Sequence, residues 1–377
     1  MNLTQTAQFT RRAIAATVFL IIALIVGRVG WKMGYAVYRH FVPPKSPPPE
    51  VRFGKIPQPQ ITSLRTKGEK IEYILDTPTG KLPQTPRQLP VSPMEKIDET
   101  PLSSQRAQRL AEDLGLSGPP KVLAPNTYEW GTGTKTLEMN IVSQNFSLTS
   151  NLHLLEAKLI PGTAPAEGNA QTEAQTFLSR LNLSDKLLET GEKETLFLKL
   201  NKGNLEKAES ISEAQLTRVD FFKTVTVGER IYKILGSKPK EGHIHLLISK
   251  RGRDASEQFP VVHYQNWKIK ESEGSTYPLL SIEAAWKKFE NGESLTTYLK
   301  PQGSNPYQES ETPELKKIRV QKIYLSYYES ETPPSYLSPV FVFEGLAETS
   351  QGELWDFVSY LPAVSEEWLE TSEEPKE

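Results

Sequence analysis

Three histidines near the middle of the chain are the side chains best suited to bind a metal ion. His243 and His245 are two residues apart, and His263 lies in another strand-like segment. Side chains two apart on a strand point to the same face, and a third imidazole could complete a zinc site. No acidic residue is linked to them by a recognised spacing. We therefore favour histidines on a sheet surface and predict no metal ligand.

Acidic and basic loops offer weaker candidates for chemistry. The segments "ESETPE" and "ESETPP" begin at Glu309 and Glu329 and could supply carboxylates to calcium or to acid–base catalysis. Neither has the spacing of a calcium loop, so ordinary turns remain the simpler interpretation. The segment "SKRGRD" brings together Lys250, Arg251 and Arg253. It could contact an anionic polymer or headgroups, although a solvated turn is the alternative that we favour.

The segment "WGTGTKT" superficially resembles a phosphate-binding loop. Gly131 and Gly133 are only two residues apart, and Lys135 leads into another strand-like segment. A P-loop instead needs four residues between its glycines and a helix after its lysine, so we predict a β-hairpin. The chain has no cysteine, which excludes a thiolate nucleophile and disulfides. With no recognised catalytic motif, we predict no catalytic and no cofactor-binding residue, and we expect a protein that is not an enzyme.

Three amphipathic helices are predicted to position these segments. In "YPLLSIEAAWKKFENGES", Ser281 suits the N-cap and Gly292 suits a left-handed end. The spacing i, i+3, i+4, i+7 predicts one apolar stripe on each helix. The stripes are Ala107, Leu110, Ala111 and Leu114; Ala174, Phe177, Leu178 and Leu181; and Ile282, Ala285, Trp286 and Phe289.

Segments rich in Val, Ile, Tyr and Phe separate these helices and predict strands, as in "VDFFKTVTV" and "PVFVFEG". Runs of strands with irregularly placed helices are typical of α+β domains. We predict antiparallel sheets, each packed with amphipathic helices, in two lobes at residues 61–216 and 217–362.

The amino-terminal segment predicts a membrane anchor. An apolar or small run from Ala13 to Gly27 follows two arginines, and we predict a transmembrane helix at 13–35 with the lipid bilayer as its partner. The alternatives are a cleaved signal peptide, a buried core helix and a hairpin of two spans, for which the sequence offers no second apolar run. The remaining boundaries are a cytoplasmic segment at 1–12, a proline-rich linker at 36–60 and an acidic disordered tail at 363–377.

Charge restricts the class of partner. The chain has 44 basic and 46 acidic side chains, and the first 49 residues include six basic and no acidic residues. The rest is therefore acidic, which is unfavourable for nucleic acid, and we predict no nucleic-acid partner. Basic residues flank both ends of the apolar run, so charge alone does not fix its orientation.

Three segments together resemble a known family: "YPLLSIEAAWKKFENG", "VQKIYLSYYES" and "LSPVFVFEG". Over residues 260–362 they are similar to bacterial PepSY-like domains and to the related YycH/YycI-type membrane-anchored regulators of a sensor kinase. The resemblance implies PepSY-like units outside the cytoplasm after one membrane span.

We therefore expect a single-pass, extracytoplasmic, non-catalytic binding or regulatory protein of the bacterial cell envelope, with an envelope or membrane protein as partner. The alternatives are an envelope enzyme, acting on cell wall or an exported substrate, and a structural assembly factor. Five aromatic residues are candidates for a partner interface, with a place in the core as the alternative. They are Tyr324, Tyr327, Tyr328, Trp355 and Tyr360.

Overall fold

A computed structural model describes residues 16, 17, 19–35, 47–68, 70–250, 255–305, 307, 308 and 310–370. The chain divides into two units, Met1–Pro48 and Pro49–Glu377. The first unit contains helix α1 at residues 19–35, and residues 16 and 17 are also helical.

The predicted transmembrane helix at 13–35 and the single-pass membrane location are wrong. Nowhere in the described segments is there a helix that is both long enough and apolar enough to span a bilayer. Arg28 and Lys32 lie in the second half of the described part of helix α1. The predicted segment at 1–12 lies outside the described residues, as does 36–46 of the linker.

The second unit consists of two large sheets with six helices among its described residues. The strands are β1 (Glu72–Leu75), β2 (Gln88–Pro93), β3 (Lys121–Ala124), β4 (Thr127–Thr132), β5 (Lys135–Asn140), β6 (Phe146–Ser150), β7 (Glu192–Asn201), β8 (Asn204–Lys207), β9 (Leu216–Phe222), β10 (Thr224–Val227), β11 (Arg230–Leu235), β12 (Ile244–Ser249), β13 (Val261–Tyr264), β14 (Ser275–Pro278), β15 (Leu295–Pro301), β16 (Leu315–Tyr328), β17 (Tyr336–Thr349) and β18 (Leu354–Pro362). The helices are α2 (Ser103–Asp113), α3 (Leu152–Glu156), α4 (Glu167–Arg180), α5 (Lys186–Thr190), α6 (Ala255–Gln258) and α7 (Ile282–Glu290).

Sheet A is antiparallel throughout, with the strand order β3-β4-β5-β6-β13-β12-β9-β7-β8. Helices α2 and α4 pack on one face. The predicted stripes at Ala107 and Ala174 are confirmed, since their members are buried in one apolar core with strand residues such as Leu137 and Val262. The opposite face of sheet A carries polar side chains and a smaller apolar cluster, against which Leu152 of α3 packs.

Sheet B has the order β10-β11-β16-β17-β18-β15, with β1 added to β16 and the pair β2–β14 joined to β17. Helix α7 packs on this sheet, where Phe289 stacks on Phe343 with ring centroids 4.4 Å apart. The predicted N-cap is confirmed, because Ser281 accepts a hydrogen bond from the Ala284 N–H. Gly292 has a φ of 77°, the left-handed end that the sequence predicted.

The predicted fold class is wrong, because the molecule is mostly β-sheet. Strand takes up 38% of the structure and helix 21%, so the sheets rather than packed helices make up its bulk. Nor is sheet B antiparallel throughout, because β1 and β11 both pair with β16 in parallel. Long strands β16–β18 supply much of its core from their own aromatic and branched side chains. The predicted lobe boundary at residue 216 remains a prediction; Leu216 opens β9 inside sheet A.

Parts of the predicted linker and tail pack against the sheets. Ile56 is fully buried and forms a bridge with Leu369. Phe53 lies 5.1 Å from Tyr336, centroid to centroid. Residues 49–60 and 363–370 therefore belong to the folded unit, and residues 371–377 lie outside the described part.

Candidate functional site

A cleft of about 400 Å³ opens where segments of chain pass between the two sheets. One of these segments, residues 236–243, connects β11 of sheet B to β12 of sheet A. Glu329 and Glu331, which follow β16, also line the cleft. The lining includes Ser147, Lys238, His245, His263, Glu329 and Glu331.

One wall is a row of polar side chains across sheet A. His263 pairs in register with His245 on one side and with Ser147 on the other, and the row continues to Asp220 and Glu138. Partners directly opposite each other in a sheet point to the same face. The alternating residues on these strands lie in the core beneath α2 and α4. The polar row therefore lies on the face opposite α2 and α4.

The two central histidines of the row are neutral hydrogen-bonding groups at neutral pH. Their rings stack with centroids 5.0 Å apart. Burial lowers the pKa of both, and the nearby Arg218 charge lowers that of His245 further. Nδ1 of His245 donates to the Gly242 carbonyl over 3.1 Å. Since a carbonyl only accepts, Nε2 of His245 carries the lone pair.

His243 and Glu329 each have a buried acceptor without a partner. Nε2 of His243 lies 3.4 Å from the Glu329 carbonyl and donates towards it, so Nδ1 carries the lone pair. Burial lowers the pKa of His243 and keeps the ring neutral. Within the described segments, neither His243 Nδ1 nor Glu329 Oε1 has a hydrogen-bond partner. Buried polar atoms are normally paired. Here two unpaired acceptors belong to one cluster, in which His243 Nε2 lies 3.8 Å from Glu329 Oε1.

A buried ion pair holds Glu329 in place. Its Oε2 accepts a hydrogen bond of 2.5 Å from Lys223 Nζ, and neither side chain is exposed. Lys223 also donates to Asn266 Oδ1 at 3.3 Å and to the Trp267 carbonyl at 3.2 Å. Because Lys223 follows β9 and Glu329 follows β16, the pair ties sheet A to sheet B at the base of the cleft.

A second buried pair positions the segment that carries His243. Arg218 makes a bidentate contact with Asp220, at 2.8 and 2.7 Å, and lies 3.3 Å from Glu241. Burial alone would lower the pKa of Arg218, but the Asp220 carboxylate raises it above its usual value, so the guanidinium remains charged. Asp220 also accepts the Gly242 N–H. A Cβ at Gly242 would lie 2.6 Å from the Phe221 carbonyl oxygen, so only glycine fits.

The histidines gather at one cleft without forming a metal centre. The structure brings His243, His245 and His263 together, as their sequence pattern allowed. No set of three or more acidic or histidine side chains among the residues described is arranged to bind a metal ion. The cause is local: Nδ1 of His245 and Nε2 of His243 are turned towards backbone carbonyls.

The other sequence candidates lie elsewhere. The segment "WGTGTKT" is the predicted hairpin, with Thr132 paired to Lys135. Arg251, Arg253 and Glu309 lie outside the described residues. Of the five aromatics considered for an interface, Tyr327, Tyr328, Trp355 and Tyr360 are buried in the core and Tyr324 is partly exposed.

Sequence reasoning missed both buried ion pairs. Arg218 and Asp220 alternate with apolar residues in β9, and polar side chains inside an apolar strand are a signal that could have revealed them. Glu329 was considered only as a loop carboxylate. Its partner Lys223 lies 106 positions away, and no local pattern links the two.

The cleft offers hydrogen-bond acceptors rather than a nucleophile and base. Ser147 and His263 are neighbours in register, yet no hydrogen bond joins them in the described structure. The acceptors of the cleft walls are suited to a group that donates hydrogen bonds.

Comparisons with known proteins give no assignment. No family model matches the chain, and no curated protein matches it. A solved structure of an uncharacterized protein from Eubacterium rectale is 11% identical, with 77% of this chain and 86% of that chain covered and a TM-score of 0.35. None of these comparisons supplies an enzyme activity, and the resemblance to PepSY-like and YycH/YycI-type proteins remains a prediction.

Proposed function

We propose that the protein is a non-catalytic binding module that recognises a segment of a partner protein in the cleft between its sheets. The observation that carries this proposal is the pair of buried, unpartnered acceptors, His243 Nδ1 and Glu329 Oε1, in the cleft wall. An unpaired buried polar atom costs about 1–3 kcal/mol. A ligand group that donates hydrogen bonds to such atoms would recover that energy on binding.

The cleft also has the shape and rigidity of a binding site. Its volume of about 400 Å³ falls within the range of small-ligand sites and would accommodate one or two side chains. Its walls are a sheet and a segment fixed by the Arg218–Asp220 pair, so little ordering is needed when a ligand enters.

The proposal is tested by panning a random heptapeptide library against the immobilised full chain and measuring the affinity of the retained peptides. Ser147→Trp places a large side chain in the cleft, whereas Thr136→Trp makes the same change on β5, on the same face of sheet A and outside the cleft lining.

We expect retained peptides to bind the native chain and Thr136→Trp equally, and Ser147→Trp at least about tenfold more weakly. Equal binding to all three proteins would place recognition elsewhere and reject the proposal, as would a panning experiment that retains no peptide. Circular dichroism of each variant confirms that the sheets are intact.

A further inference from the structure

The hydrogen-bonding groups of the cleft identify the chemistry of what enters it. On the basis of the proposed function, we infer that the cleft receives a positively charged side chain, an arginine guanidinium or a lysine ammonium, from the bound segment.

The side chains around the cleft present hydrogen-bond acceptors. Three acceptors belong to residues that line the cleft: Nε2 of His245, Nδ1 of His243 and Oε1 of Glu329. Each ring nitrogen holds a lone pair because the other nitrogen of its ring donates to a carbonyl. Acceptors in this number are matched best by a group with several N–H donors and no acceptor, which describes guanidinium and ammonium.

The charged side chains around the cleft favour a positively charged ligand. The buried cations Arg218 and Lys223 are already neutralised by Asp220 and Glu329. At the rim, Lys238 lies 3.9 Å from Glu241. Glu331, an exposed carboxylate, remains in excess and accepts a hydrogen bond from the Ser237 hydroxyl. With neutral histidines, the groups around the cleft carry more negative than positive charge.

An anionic ligand fits these groups less well. It would offer more acceptors to walls that already present acceptors, and it would meet the Glu331 carboxylate at the mouth. The exposed cation of the lining is Lys238, and its charge is partly offset by Glu241, which lies 3.9 Å away. A basic side chain would donate to the acceptors of these walls and would pair with the Glu331 carboxylate at the mouth.

The test compares four capped tripeptides, N-acetyl-Gly-X-Gly-amide, in which X is arginine, lysine, citrulline or glutamate. Citrulline has the shape of arginine without its charge, so it isolates the contribution of charge. Binding to the full chain is measured by titration calorimetry at pH 7.5. Glu331→Gln removes the rim charge, and Glu229→Gln, in the turn between β10 and β11, makes the same change away from the cleft.

We expect the arginine and lysine peptides to bind about tenfold or more tightly than the citrulline peptide, with the glutamate peptide weakest. Glu331→Gln should weaken the basic peptides alone, and Glu229→Gln should change none. If the citrulline or glutamate peptide bound more tightly than the arginine and lysine peptides, and Ser147→Trp abolished that binding, the inference about charge would be overturned. The cleft would still be a binding site. If the peptides bound the native, Glu331→Gln and Ser147→Trp chains with equal affinity, both the inference about charge and the proposed binding cleft would be overturned.

Discussion

Lys223 Nζ lies 2.5 Å from Glu329 Oε2, and both side chains are wholly buried where the two sheets meet. A buried ion pair must be satisfied by further hydrogen bonds to offset the cost of desolvation. Lys223 has two such bonds, whereas Glu329 keeps one oxygen without a partner. The same glutamate therefore joins the sheets and offers an acceptor beside the cleft.

Breaking this ion pair from one side should be strongly destabilising. We expect Lys223→Met to lower the free energy of unfolding by about 3–5 kcal/mol, because the Glu329 carboxylate would stay buried without its counter-charge. Denaturant unfolding monitored by tryptophan fluorescence measures the change.

A double variant separates the pair from the packing around it. Lys223→Met combined with Glu329→Leu should cost less than the sum of the single changes, since no charge is left buried. Additive losses would show that the two groups do not interact. Lys96→Met, at an exposed pair with Asp98, is the control and should have little effect.

The stability of the folded chain should fall as the pH is lowered through the range of histidine titration. Burial lowers the pKa of His243, His245 and His263, and the Arg218 and Lys238 charges lower that of His245 further. Below an ordinary histidine pKa of about 6.5, the unfolded chain binds protons that the native chain does not. The contribution of these histidines to the free energy of unfolding is therefore fully present above about pH 6.5. It is lost as the pH falls towards their lower pKa values in the native chain.

Urea unfolding at pH 7.5, 6.5 and 5.5 measures this dependence. We expect the double variant His245→Gln/His263→Gln to lose less stability than the native chain over the same interval, by up to about 1.4 kcal/mol per pH unit for each titrating ring. Identical slopes would mean that other groups control the acid response.

Gly242 should tolerate no larger residue. Its Cβ would lie 2.6 Å from the Phe221 carbonyl oxygen, and its N–H donates to Asp220. We expect Gly242→Ala to cost about 1–3 kcal/mol and to weaken binding in the cleft, because the segment carrying His243 must shift. Gly133→Ala, where a Cβ meets nothing within 4 Å, should stay within about 0.5 kcal/mol of the native chain. Comparable losses in the two variants would contradict the strain argument.

The N-cap of α7 provides a test of local structure. The Ser281 side chain accepts the Ala284 N–H at 3.2 Å. Ser281→Ala should reduce the free energy of unfolding by about 1 kcal/mol, whereas Ser281→Asp preserves the acceptor and should cost little. Thermal and urea unfolding of both variants decide the point; an equal loss for Ala and Asp would rule out capping as the cause.

Local patterns predicted the elements better than their arrangement. Helix α7 follows from a cap at Ser281, an apolar stripe and a glycine at 292, all within twelve residues. The turn at Gly133 is equally local. These features need no knowledge of distant residues, so a single sequence is sufficient to find them.

The cleft depends on pairings that span long stretches of chain. Ser147 faces His263 because β6 pairs with β13, more than a hundred residues later, and periodicity within either strand does not specify that partner. The same holds for the parallel pairing of β1 with β16. The membrane prediction was wrong for a different reason: it depended on the composition of one apolar run, whereas no helix in the described segments is long and apolar enough to span a bilayer.

The most direct test of the binding cleft is nuclear magnetic resonance of the histidine rings in the full chain. Five histidines are present, of which His243, His245 and His263 line the cleft and His153 lies on α3. With selectively labelled histidine and the tightest heptapeptide from the library, we predict saturable shifts of the three cleft rings and none for His153. Shifts confined to His153 or His40, or no shift at saturating peptide, would contradict the assignment of this cleft as the binding site.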